Sequence, residues 1–185
     1  MLACHSGGVS PRAAPPARPF RAALHAATGA PRLYRAARHA GAGPVEAGRV
    51  LLTSAQVLLL VAPQAGGVPG RQNAVRHFVW QAALTARHGS MVARAVAAAQ
   101  EEGSVDPLDS AADLRNNGLG QSYGAQHASR LAALPLRAAL RELLEVGLAR
   151  WRAGDLAATG RRGGARAARR PRRGSRGRAT PPAPS

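Results

Sequence analysis

The stretch Arg71-Gln-Asn-Ala-Val-Arg-His-Phe-Val-Trp-Gln-Ala-Ala-Leu-Thr-Ala-Arg-His88 decides the fold. It contains neither Pro nor Gly, and at 100° per residue Val75, Phe78, Val79, Ala82 and Ala83 share one face. Asn73, His77, Trp80, Leu84 and His88 fall on the other side. A helix with Leu and Trp opposite its main apolar face is covered twice, which turns His77 towards an interior or a cleft. Gly89, a favoured residue just past a helix end, closes the segment.

Outward from this helix the punctuation repeats. Ser90 opens a helix to Glu102, ended by Gly103. Upstream, Val45 to Val61 reads as a helix stopping before Pro63, followed by a Gly-rich loop to Gly70. Downstream, Ser110 to about Leu134 and Leu136 to Trp151 read as two more, parted by Pro135. Strand-like alternation is absent. The expected class is all-α: a single compact domain of about five helices over residues 49–156. Residues 1–48 and 157–185, rich in Pro, Ala, Gly and Arg with few large apolar side chains, are expected to be disordered flanks.

Charge follows the same division. The net +17 splits into +5 over residues 1–48, +3 over 49–151 and +9 over 152–185. All 26 basic residues are Arg, and Lys and Ile are missing, a bias that fits a GC-rich gene. The expected partner of the tail is therefore a polyanion bound weakly and without sequence preference. Two Trp, two Tyr and two Phe make a poor stacking platform for nucleic acid. The lone Cys4 excludes an intramolecular disulfide and fits a reducing, cytoplasmic setting; secretion from a start near Val45 is the alternative. The longest apolar run, Val50 to Ala62, falls short of the roughly 20 residues of a spanning helix.

The candidate site comes from two polar clusters placed in otherwise apolar helices. The first is Asn73, Arg76, His77 and Trp80; the second is Asp113, Asn116 and Asn117, with Gly120, Gly124 and His127 on the same third of the helix. A buried polar group without a partner costs about 1–3 kcal/mol, so such clusters demand a reason. Glycine inside a helix costs roughly 1 kcal/mol relative to alanine. Gly120 and Gly124 therefore imply a close backbone, a ligand or a metal.

On these residues the chain resembles an uncharacterised family of bacterial, chiefly actinobacterial, domains that also occur at the ends of larger secreted or toxin-like proteins. The shared pattern is Asn73-Ala-Val-Arg76-His77-Phe-Val-Trp80, then Leu84-Thr85 with Gly89, then Asp113-Leu-Arg-Asn116-Asn117-Gly-Leu-Gly120. The runs Gln121 to Ala128 and Ala149 to Leu156 are similar to the actinobacterial branch, so the resemblance covers about 49–156. It implies no reaction. Where the family pattern carries a His-Glu pair, this chain has Gln100-Glu101.

Three functions compete. The favoured one is a structural or interaction module in which His77, Asp113, Asn117, Asn73, Arg76, Trp80 and Asn116 form a buried network that fixes helix register. The alternative is a metal-dependent, hydrolase-like site for an ester or phosphoester. Its divalent metal (Zn, Mn or Fe) would be held by His77, Glu101, Asp113 and His127 and weakened by the change at Gln100. A metal-free variant makes His77 a general base tuned by Asp113, with Asn117 beside it and Arg76 or Arg115 holding an anion.

Overall fold

In the computed structural model the decisive stretch belongs to a longer helix, α3 (Arg71–Glu101), that turns at Gly89. Gly89 has φ 83° and ψ 159°, a conformation open essentially to glycine alone. The turn is a reversal. A straight helix would carry residue 101 about 36 Å from residue 77 at 1.5 Å per residue. Instead, ligand atoms of His77 and Glu101 lie within 4.8 Å of each other. The two arms, 71–88 and 90–101, thus correspond to the two helices expected on either side of Gly89. The first arm is buried almost continuously from Ala74 to Ala86, including Trp80 and Leu84 opposite the main apolar face. Both of its sides are covered.

The structure describes residues 19–68, 70–102 and 107–158. Among them are six helices and no strand: α1 (Pro19–His39), α2 (Pro44–Gln64), α3, α4 (Pro107–Gln126), α5 (Ala128–Ala133) and α6 (Leu136–Ala153). All the others pack on α3, and its packing with α4 is the most extensive. The core joins Val50, Val57 and Val61 of α2, Val75, Phe78 and Leu84 of α3, Leu131 of α5, and Leu140, Leu143 and Leu144 of α6.

Three boundaries differ from expectation. The N-terminal segment is not wholly without structure, because α1 spans residues 19–39 and buries Leu33 and Ala37. Its composition hides this: alanine is the strongest helix former, and a helix of Ala and Arg packs through small residues rather than large ones. The domain edge expected at Arg49 accordingly falls inside α2. The helix from Ser110 is interrupted at His127, giving α4 and α5; with α1 added and the two helices about Gly89 joined as α3, the described residues hold six helices rather than five. At the other end the described body reaches residue 158, and the Arg-rich tail from residue 159 lies outside the described residues.

Glycines set the closest approach. A Cβ on Gly120 would stand 2.4 Å from the Phe78 carbonyl oxygen, and one on Gly124 would stand 2.4 Å from that of Ala82. The reason for these glycines is thus backbone against backbone between α3 and α4. Gly118 meets nothing and continues the helix. After α6, Gly154 turns the chain with φ 81°, and Asn116 of α4 clasps Ala157 through two bonds of 2.9 Å.

A polar ladder and its candidate metal centre

The first arm of α3 and helix α4 run in parallel, and their polar residues meet in rungs one helical turn apart. Asn73 Nδ2 donates to Asp113 Oδ1 at 2.6 Å, His77 Nδ1 pairs with Asn117 Oδ1 at 3.0 Å, and Gln121 Nε2 donates to Gln81 Oε1 at 2.8 Å. Each rung joins residues 40 apart. Asn73, His77 and Gln81 are spaced by four, as are Asp113, Asn117 and Gln121, which puts each set on one helical stripe.

The middle rung carries the chemistry. His77 is buried, and its Nε2 lies 3.2 Å from Asp113 Oδ2 and 3.2 Å from an Arg76 guanidinium nitrogen. Arg76 can only donate, which favours a bare Nε2 with the proton on Nδ1, where Asn117 Oδ1 accepts it, although the Asp113 carboxylate stands equally near Nε2. Burial, reinforced by the Arg76 charge and opposed by the Asn117 bond, pulls the His77 pKa down to about 4. The imidazole is therefore neutral near pH 7. Arg76 also donates to Asn73 Oδ1; burial lowers its pKa and the charge of Asp113 raises it again.

Glu101 enters from the second arm of α3. One oxygen each of Glu101 and Asp113 and one nitrogen of His77 lie within 4.8 Å of one another, so a point within about 2.8 Å of all three exists. A contraction of up to roughly 0.6–0.8 Å would bring them to the 2.0–2.2 Å of zinc–nitrogen and zinc–carboxylate bonds. Glu101 Oε2 is buried without a hydrogen-bond partner. Burial raises the Glu101 pKa, and a hydrogen bond from Ser110 opposes the rise.

The remaining candidates separate into other roles. His127 is not part of this group; its ring lies tilted against Tyr123 with centroids 4.3 Å apart, beyond the C-terminal end of α4. Trp80 touches His77 edge-on at 6.1 Å, yet its indole N–H donates to Ser54 Oγ of α2 at 2.8 Å, tying α2 to α3. Asn116 faces Ala157, and Arg115 reaches the Asp155 carbonyl at 3.2 Å, so neither joins the ladder. Gln100 is exposed, whereas Glu101 beside it is half-buried. The Gln81–Gln121 rung and the Ser110 contact were missed in the sequence. Their signal was spacing, since Gln81 and Gln121 each stand four residues after a member of the middle rung.

Two surface clefts, of about 370 and 320 Å³, flank the His88–Glu46 pair near the Gly89 turn, and neither is lined by the ladder residues.

Residues 60–144 match the family model of DUF6973, a domain of unknown function. The matched region contains the whole ladder, Glu101 and both close-contact glycines; α1 and most of α2 lie before it. This match is narrower than the 49–156 expected from the resemblance. No curated protein and no solved structure matches the chain.

Proposed function

We propose that the DUF6973 region holds a divalent cation between His77 Nε2, Glu101 and Asp113, and that the centre serves hydrolase-like chemistry on an ester or phosphoester. The observation that supports it is the convergence of these three donors from three helical segments onto one point, with a buried Glu101 oxygen lacking any other partner. The Nδ1–H bond to Asn117 is the outer contact that fixes the imidazole tautomer of a ligating histidine. One nitrogen and two carboxylates suit Zn, Mn or Fe. Three protein donors leave a coordination position open, as reactive centres do. A divalent ion there supplies Lewis acidity and an activated water. Arg76 donates to the same Nε2 lone pair, so a bound ion would take the place of that contact.

A second reading rests on Arg76. Its guanidinium already serves as the internal cation, donating to Asn73 and Nε2, so the ladder can act as a metal-free lock within an interaction module. The two readings part in a melting experiment on the chelator-treated full chain with Zn, Mn or Fe added. The metal centre requires a metal-dependent rise in Tm, because a ligand that prefers the folded state stabilises it. Glu101→Gln should remove that rise, Gln100→His should not change it, and Asp113→Asn should end metal-dependent turnover of model esters and phosphoesters. If no ion shifts the wild-type Tm and Glu101→Gln melts no lower than wild type, the lock stands instead.

A further inference from the structure

Helix α2 faces solvent with an apolar side. Val45, Leu52 and Leu59 are 71, 55 and 75 % exposed and follow one another at intervals of seven, on one line along the helix. Leu58, 44 % exposed, and the exposed Gly48 and Ala55 widen the same face. No acid stands on it. Arg49 and the half-buried Gln56 border it, and Glu46, the only acid of α2, is turned to His88. Scattered exposed leucines need no explanation, but a continuous apolar side along a five-turn helix marks a contact surface.

The two flanks of the given sequence offer little apolar surface to set against it. Residues 159–185 contain no Leu, Val, Met, Phe or Trp, and residues 1–18 contain only Met1, Leu2 and Val9. A second copy of the chain would bring a net charge of +17 against another +17. We propose that this face seats on the surface of an anionic phospholipid bilayer. The apolar side of α2 enters the headgroup boundary, Arg49 keeps its charge at the rim by extending its stem along the apolar surface, and the ten arginines of residues 152–185 add attraction to the lipid phosphates. By length and composition the span Pro44–Val61 is apolar enough to cross a membrane. Its other side is committed to the core, with Ala47, Val50, Thr53, Val57 and Val61 buried, so the helix lies in the interface rather than through it.

The test is co-sedimentation of the full chain with phosphatidylcholine vesicles, and with vesicles of phosphatidylcholine and phosphatidylglycerol. The chain should bind the mixed vesicles and not the neutral ones. Leu52→Gln with Leu59→Gln should cut binding by at least about tenfold, since each buried leucine is worth on the order of a tenfold change in affinity. Both positions are exposed, and an unchanged melting curve confirms that the variant is folded. A chain ending at Ala158 should keep a weaker, leucine-dependent affinity. Binding that the double variant leaves unchanged would assign the effect to the arginines alone and overturn the proposal. So would the absence of binding to mixed vesicles, or a dimer in light scattering that the double variant turns into a monomer.

Discussion

Alanine at three glycines of α4 gives effects of opposite sign. Gly118, Gly120 and Gly124 share one helix, so the intrinsic gain from removing a helical glycine, about 1 kcal/mol, is the same at each. Only the surroundings differ. At Gly118 a Cβ meets nothing within 4 Å, so Gly118→Ala should stabilise by up to about 1 kcal/mol. At Gly120 and Gly124 the Cβ would stand 2.4 Å from the carbonyl oxygens of Phe78 and Ala82, about an ångström inside ordinary contact. Those oxygens belong to helical backbone and cannot swing aside as a side-chain tip would. The helices must separate, and overpacking of this kind costs typically 1–3 kcal/mol or more. After the propensity gain, each variant should lose up to about 2 kcal/mol. Urea unfolding of the three variants at neutral pH measures this directly. Gly120→Ala or Gly124→Ala as stable as Gly118→Ala would refute the backbone contact between α3 and α4.

Two further outcomes follow from local geometry. Gly89→Ala meets no atom yet must adopt φ 83° and ψ 159°, so it should cost about 1–3 kcal/mol in urea unfolding; a neutral effect would show that the reversal does not require glycine. In chelator-treated protein, the buried neutral His77 should make stability fall as pH drops from 6.5 towards 4, because in that window the unfolded chain takes up a proton that the native imidazole refuses. A pKa lowered from 6.5 to about 4 corresponds to about 3 kcal/mol, fully present above pH 6.5 and gone below 4. A His77→Gln variant should lack this component, and equal acid sensitivity in both proteins would contradict it.

What could be read beforehand followed how local the cause was. The helical class, the break at Gly89 and the convergence of His77 with Asp113 came from periodicity and capping, which neighbouring residues determine. Helix α1 escaped because the small side chains that pack it, such as Ala37, look in sequence like any Ala-rich tract. Helical projection put His127 on the stripe of Asp113 and Asn117, but projection discards height: ten residues along a helix amount to about 15 Å. The same loss of the third coordinate made Gln100 look like part of the site. It is adjacent to Glu101 in sequence, yet consecutive helical residues point about 100° apart, and only Glu101 turns inward.

The ladder and the glycines form one device. Asn, Asp and His side chains reach only a few ångströms, so rungs at 2.6–3.0 Å need the two helices close together, and Gly120 and Gly124 allow that approach. A slip of one turn would move Gly124 onto Phe78 and set Ala128 against Ala82, so the glycines themselves resist it in part. The identity of the rungs resists it too. A slip of four residues that set Asn73 against Asn117 would leave Asp113 without its amide donor, and a buried carboxylate deprived of its partners costs several kcal/mol. Register and site are therefore specified together: the arrangement that satisfies Asp113 is the one that presents its second oxygen to His77 Nε2, where Glu101 arrives from the returning arm of α3.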